Sequence, residues 1–318
     1  MDTMTTKAPA LFLMGPTATG KTKLAIEMVQ RYPFEIVSVD STMVYKGMDI
    51  GSAKPSAAEL AQAPHRLINI CELDDIYSAG RFCEDALQAI QEIQLAGKIP
   101  LLVGGTMLYY RSLEFGLAEM PQADAETKQR LQQEMAQLGS VLMHRRLAEV
   151  DAESAKRIHP NDPQRISRAL EVYAATGIPL AEYHQLQKHT ELPFQPVKLG
   201  LMCHQRAELH QRIELRFQQM MAAGFLDEVK SFFDNSRFHG GLPAMRSVGY
   251  RQLCQHLAGE TSIQEAVAKG IIATRQLAKR QMTWLRSWPD LICVDAMSED
   301  YAVQAIKLLN QTPIADYW

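Results

Sequence analysis

Short apolar runs alternate with longer amphipathic segments through the first third of the chain. Strand-like runs fall at residues 10–14, 35–40, 66–70 and 100–104, each bounded by turn residues. Between them, residues 21–31 and 78–96 carry helical spacing; the first opens straight from a Gly-rich turn and the second closes at Gly97. Repeated strand–helix punctuation of this kind predicts an α/β fold: a parallel sheet with helices on both faces.

The texture changes after Gly116. Residues 123–175 hold no strand-like run, and their apolar residues recur at helical spacing, as in Leu131, Met135 and Leu138 and again in Met143, Leu147 and Val150. Asp162 followed by Pro163 marks a helix start, and Gly177 a matching stop. Strand character returns at residues 196–203, followed by a helix with Leu209, Ile213, Phe217 and Met221 on one face. A last long helix follows Thr261 and Ser262, each with Gln or Glu three residues on, and a final strand is expected at 291–295. The expected organisation is a core of residues 1–115 and 196–318 interrupted by an inserted all-helical domain, 116–195.

Composition narrows the function classes. The 318 residues are 47% hydrophobic and 22% charged, which excludes disorder and fibrous repeats. No apolar stretch approaches the roughly 20 residues a membrane helix needs, and residues 1–8 lack the features of a secretory leader; a cytoplasmic protein without a membrane partner is expected. Cys71, Cys83, Cys203, Cys254 and Cys293 contain no C-x-x-C pair, which suits reduced thiols better than zinc or disulfides. With 33 basic and 36 acidic side chains the net charge is -3, but its distribution is uneven. Residues 266–289 contain no acid and carry Lys269, Arg275, Lys279, Arg280 and Arg286; residues 235–259 are likewise acid-free and carry Arg237, Arg246 and Arg251. Clustered bases of this kind are an electrostatic footprint for nucleic acid.

The clearest motif is Gly15-Pro16-Thr17-Ala18-Thr19-Gly20-Lys21-Thr22, a phosphate-binding loop of the form G-x-x-x-x-G-K-[ST] between a strand and a helix. Its glycines let consecutive backbone N–H groups turn toward phosphate oxygens at a helix N-terminus. Lys21 adds a point charge and the Thr22 hydroxyl a ligand for Mg²⁺. The loop specifies an oligophosphate; ATP, GTP and a diphosphate ester all satisfy it. Asp40 ends the second strand, where ligands of open α/β sheets bind. Three roles are open to it: a water-bridged Mg²⁺ partner, a general base, or a cap for the following turn.

Further segments are more specific. Asp40-Ser41-Thr42-Met43-Val44-Tyr45 with Gly51 and Lys54-Pro55, Pro64-His65-Arg66, Gly104-Gly105-Thr106, His159 through Arg168, Ser247-Val248-Gly249-Tyr250-Arg251, and Ala273 through Arg286 together resemble the tRNA dimethylallyltransferase family, in order and over nearly the whole chain. The resemblance implies a P-loop NTPase-like core with an inserted helical domain that grips a tRNA anticodon stem-loop. It implies transfer of a dimethylallyl group from dimethylallyl diphosphate to N6 of adenosine 37, in tRNAs reading codons that begin with U, with Mg²⁺ as cofactor. Under it, Asp40 and Thr106 are catalytic candidates, and Arg216 joins residues 15–22 around the diphosphate. Contacts to tRNA are expected from Asp40, Ser41, Thr42, Met43 and Thr106; from Gln164, Arg165, Ile166, Ser167 and Arg168; from Arg246, Ser247, Val248, Gly249, Tyr250 and Arg251; and from Lys279, Arg280, Gln281, Met282, Thr283, Trp284, Leu285 and Arg286. Met43 departs from the Gln that many relatives carry, so no side-chain amide reaches the base from that position. A monomer is expected.

Two other functions share these features. A small-molecule kinase would use the same loop for ATP and Asp40 as base for a substrate hydroxyl. A nucleotide-dependent RNA-binding switch would use the loop and the basic stretches without covalent chemistry. Trp284 and Trp288, spaced i, i+4, are read as packing partners, and the sixteen methionines as core filler.

Overall fold

The computed structural model describes residues 7–116, 123–186, 191–234 and 242–318. Arg237 and the first six residues lie outside these. The chain divides into two compact units, residues 1–114 with 192–318, and residues 115–191.

The larger unit is built on a sheet of parallel strands β1 (Pro9–Met14), β2 (Phe34–Val39), β3 (His65–Arg66), β4 (Ile99–Gly104), β5 (Gln195–Met202) and β6 (Ile292–Asp295). They lie in the order β3-β2-β4-β1-β5-β6. Every residue of β1 and β4 is buried, as expected where helices cover both faces of a parallel sheet. Leu11, Leu13, Ile36, Leu101, Leu199 and Leu201 fill one face, against Leu24, Ala25 and Met28 of α1 (Lys21–Arg31). Met14 pairs with Gly104 and with Gly200, and Val39 with Gly104. The carboxyl ends of β1, β2 and β4 therefore stop level, and the loops after them leave the sheet together.

The expected strand at 66–70 is only His65–Arg66. Leu67 and Asn69 take left-handed backbone (φ 60° and 55°), which turns the chain out of the ladder. Arg66 still ties this edge down: its Nε donates to Glu35 Oε1 at 2.6 Å, and it also pairs with Glu92. Three helices not foreseen, α2 (Ala57–Gln62), α4 (Met107–Phe115) and α13 (Tyr301–Leu309), join α3 (Ala79–Leu95) around the sheet.

The smaller unit is helical: α5 (Ala125–Val150), α6 (Ala152–Arg157), α7 (Pro163–Thr176) and α8 (Leu180–Leu186). Gly139 (φ 76°, ψ 164°) breaks α5 in two, so Leu138 at the break is about half exposed instead of packing with Leu131 and Met135. Leu131, Met143, Leu147, Ile166 and Leu170 form its core. α7 begins and ends as read: Asp162 accepts from Arg165 N, and Gly177 closes the helix at φ 71°.

The larger unit continues through α9 (Arg206–Ala222), α10 (Phe225–Phe233), α11 (Tyr250–Leu257) and α12 (Ile263–Arg286). Ser262 caps α12 in a capping box with Glu265. Among the described residues no helix is long and apolar enough to cross a membrane, and the five cysteines are unpaired.

Candidate active site

The loop leaving β1 turns through left-handed backbone at Ala18 (φ 66°) and Gly20 (φ 85°) before α1 begins at Lys21. A non-glycine residue in that region costs roughly 1–2 kcal/mol, a strain of the kind that collects at ligand sites. Lys21 Nζ donates to Pro16 O at 2.7 Å, and Thr19 Oγ1 donates to the same oxygen at 2.8 Å, so the loop is closed upon itself.

Residues 17–22 line a cavity of about 240 Å³ together with Ser38, Asp40, Thr42, Met43, Gly104, Gly105 and Arg216. Its other side is largely apolar: Ile213, Phe217 and Met220 of α9, Phe225, Val248, and Leu277 of α12. The electrostatics are unbalanced. Burial, and next the neighbouring Arg216 guanidinium, lower the Lys21 pKa to about 7. Burial lowers that of Arg216 as well, and Asp40 opposes both shifts. No hydrogen bond or ion pair engages Arg216 among the described residues. Two adjacent basic groups, both desolvated and opposed only by the Asp40 carboxylate, make an anion site.

Asp40 divides its carboxylate. Oδ1 accepts from Thr42 N (2.8 Å), Thr42 Oγ1 (2.5 Å) and Met43 N (3.3 Å), which is the turn-capping role. Oδ2 receives no hydrogen bond among the described residues and remains available to the cavity that Asp40 lines. Capping and chemistry are thus not alternatives here. Thr106 does not line the cavity; its Oγ1 accepts from Ser41 N at 3.1 Å, beside Asp40, and its own N–H donates to Val39 O.

His65 also lines the cavity. Its Nδ1 faces Ala63 O at 2.7 Å, which assigns the proton to Nδ1 and leaves Nε2 as an acceptor; burial holds its pKa below the usual value. Sequence reasoning quoted His65 within a motif but gave it no role. It also missed Glu228, whose carboxylate accepts from three consecutive backbone N–H groups, Asp49 and Ile50 at Oε2 (2.9 and 2.6 Å) and Gly51 at Oε1 (3.1 Å), and from Tyr250 Oη (2.6 Å). That clamp seats the loop supplying Gly51, Ser52 and Pro55 to the cavity wall. A carboxylate at helical spacing gives no hint of such partners.

The residues expected to face tRNA separate by burial. In the larger unit Arg246, Arg251, Lys279, Arg280, Thr283 and Arg286 are exposed. Gly249, Tyr250, Gln281, Met282 and Leu285 are buried, because α12 and α11 turn these positions toward the core, and their side chains pack or bond internally. Ser247 and Val248 are half-buried, and Val248 belongs to the cavity. Trp284 packs with Trp288 (centroids 6.4 Å apart) and under the Arg111 guanidinium. Arg275 is spent on Glu214 at 2.7 Å. In the smaller unit Gln164 and Arg165 are exposed and Ser167 and Arg168 half-buried, whereas Ile166 is wholly within that unit's core. Asp162 and Glu171 neighbour the two arginines on the same helix.

The chain is similar to known proteins over most of its length. The model of the IPP transferase family matches residues 43–288. The chain is 32% identical to the full-length tRNA isopentenylpyrophosphate transferase of Bacillus halodurans, over 98% of this chain and 96% of that one, with a TM-score of 0.71. It is also 32% identical to the tRNA delta(2)-isopentenylpyrophosphate transferase of Staphylococcus epidermidis, over 96% of this chain and all of the other (100%), at a TM-score of 0.69. A eukaryotic dimethylallyltransferase captured acting on tRNA is 25% identical over 97% of this chain and 77% of its own, with a TM-score of 0.74. None of these is a kinase, and with a family model over residues 43–288 and two relatives 32% identical over nearly the whole chain, the chain belongs to the IPP transferase family.

Proposed function

We propose that the protein transfers a dimethylallyl group from dimethylallyl diphosphate to N6 of adenosine 37 in the anticodon loop of tRNAs reading codons that begin with U. The observation that carries this is the composition of one cavity: the desolvated bases Lys21 and Arg216, the Asp40 carboxylate with one oxygen free of hydrogen bonds among the described residues, and an apolar wall from α9 and α12.

In the reaction the allylic C–O bond breaks, its electron pair leaves with diphosphate, and a C–N bond forms at N6, which then gives up a proton. The departing charge grows in the transition state, so fixed N–H dipoles and cations aimed at it act where they accelerate most. Residues 15–22, Lys21 and Arg216 supply these. Asp40 Oδ2 accepts the N6 proton as the amine, a weak nucleophile, becomes cationic. Thr106 holds Ser41 N and so orients the turn that carries Asp40. The apolar wall receives the five-carbon chain and keeps water from the allylic carbon.

Mg²⁺ fits the donor set. Thr22, whose hydroxyl would hold the ion, lines the cavity, and no cluster of three or more His, Cys, Asp or Glu side chains forms a protein cage among the described residues. A hard cation that keeps several waters and binds chiefly to phosphate oxygens suits such a site, where it would supply neutralising charge to the diphosphate. The exposed bases on α12 and near Arg246 attract phosphates of the RNA, and an anticodon loop presents an adenine that flips out at lower cost than one in a duplex. The protein acts as a monomer in the cytoplasm in this reading.

The test is incubation of purified protein with Mg²⁺, dimethylallyl diphosphate and unmodified tRNA carrying A36-A37, followed by digestion and mass analysis of nucleosides. An adenosine heavier by one five-carbon unit, formed without ATP, is expected. Unmodified adenosine with folded protein would end the proposal.

A further inference from the structure

Gln281 stands on the buried face of α12 between Ala278 and Leu285, with the exposed Arg280 and Thr283 on either side of it. A fully amphipathic helix would carry an apolar residue there. A buried amide is tolerated only when its hydrogen bonds are made, and the partners of this one are informative. Its Oε1 accepts from Thr17 N at 3.1 Å, within the phosphate loop. Its Nε2 donates to Gly105 O at 2.8 Å, in the turn after β4.

The next links are on the same path. Thr106, adjoining Gly105, accepts from Ser41 N, and Ser41 adjoins Asp40. One side-chain amide thus joins the loop that holds the leaving group to the turn that holds the proton acceptor. The contact is also tight. A Cβ at Gly105 would stand 2.4 Å from Gln281 Nε2 and 3.3 Å from Gly15 O, so any side chain there would push the two loops and the amide apart.

We propose that Gln281 is a positioning residue that fixes the distance between the diphosphate cradle and Asp40, and thereby the approach of N6 to the allylic carbon. The inference rests on the prenyl-transfer reading and assigns to Gln281 a role other than contact with tRNA. Its physical basis is that transfer between two held reactants depends on their alignment, and a misplacement of about 1 Å costs on the order of 10²-fold in rate. Gln281 lines the same cavity, but it is uncharged and both ends of its amide are engaged by backbone, at Thr17 N and Gly105 O, so its loss should act chiefly on kcat and change each affinity little.

The experiment is a double-mutant cycle of Gln281→Met and Gly105→Ala, measuring kcat and the KM for each substrate in the transfer assay, with melting temperature as a control. Gln281→Met keeps volume but makes neither hydrogen bond; about a 10- to 100-fold loss in kcat is expected, with each KM within about threefold of wild type. Gly105→Ala alone should lose a similar factor. The pair should be no worse than the poorer single variant, because the added methyl then meets no fixed amide. If Gln281→Met does not fold, Gln281→Glu serves: it keeps the acceptor for Thr17 N and sets an oxygen against Gly105 O, and the same kcat loss is expected. A kcat within twofold of wild type, additive losses in the pair, or a change confined to the KM for tRNA would each overturn the proposal. Absence of transfer by the wild-type protein would instead remove the prenyl-transfer reading itself.

Discussion

Replacing Lys21 with Met should make the ligand-free protein more stable while abolishing its use of the donor. In the folded protein burial and Arg216 hold the Lys21 pKa at about 7, against 10.5 in its ordinary state. The unfolded chain therefore binds more protons than the folded one between these values, and wild-type stability rises with pH across that window. Below about pH 7 the penalty for the buried charge is present in full; it fades as pH approaches 10.5. The whole shift is equivalent to about 5 kcal/mol. Lys21 retains some solvent contact, which screens the charge, and the Nζ bond to Pro16 O is worth about 1 kcal/mol. A net gain of roughly 1–2 kcal/mol remains for Lys21→Met, or about 2–4 °C for each of these. Pro16 O keeps the Thr19 hydroxyl as donor, so no acceptor is orphaned. Thermal melts of both proteins across about pH 6 to 10 would show the variant ahead at the acid end and the gap closing toward the alkaline end. Added diphosphate should reverse the order, because it stabilises only a protein that binds it. A variant that melts below wild type near neutral pH without ligand, or a gap indifferent to pH, would refute the reasoning.

Diphosphate binding should restore the Lys21 proton, so donor affinity should fall by up to about tenfold per pH unit above pH 7; calorimetry in buffers of different ionisation enthalpy would detect the uptake. Asp40→Ala should lower kcat by about 10² to 10⁴ with tRNA affinity preserved, read by single-turnover transfer and filter binding. Glu228→Gln replaces an acceptor of four hydrogen bonds with a group that must turn an NH₂ toward some of its donors; it should lower stability by about 1–3 kcal/mol and raise the donor KM, seen in denaturant titration and steady-state kinetics. Lys279→Ala and Arg286→Ala should weaken tRNA binding without altering donor affinity, each reducing the slope of log affinity against log salt by about 1.

The parts of this architecture that follow local rules were legible in the sequence. β1 and β4 are unbroken apolar runs and β2 a largely apolar one, ending at or just before Gly15, Asp40 and Gly104, and the start of α1 is written in the phosphate-loop spacing; Asp162 and Gly177 delimit α7 by capping chemistry alone. Elements that depend on tertiary context were not. Residues 66–70 have strand composition, yet left-handed turns at Leu67 and Asn69 end the strand after Arg66, and no spacing rule announces them. α13 was missed because its apolar residues are continuous enough to pass for a strand or a loop, and only packing against the sheet decides. At the site, the phosphate loop, Asp40 and Arg216 were found by motif or resemblance and do meet in one cavity. The contributions of Glu228 and Gln281 arise from hydrogen bonds spanning 179 and 264 positions, and such partnerships leave no periodic trace.

A phosphate loop ordinarily serves attack at phosphorus, and the cavity explains why carbon reacts here instead. Attack at phosphorus needs a nucleophile in line with the transferred phosphoryl group and polar groups around it. Besides the loop and polar residues such as Asp40, His65, Arg216 and Gln281, this cavity offers a wall of Ile213, Phe217, Met220, Phe225, Val248 and Leu277, whose side chains can neither activate water nor stabilise an equatorial phosphoryl oxygen. The same wall suits an allylic fragment whose C–O bond lengthens as charge passes to the diphosphate. In the proposed reaction Lys21 and Arg216 stabilise the departing anion, and the free oxygen of Asp40 receives the proton lost by the amine. The sheet presents the phosphate loop and Asp40 at the level ends of β1 and β2, and α9 adds Arg216, so an anion cradle becomes a leaving-group site through the apolar side chains that α9 and α12 set beside it.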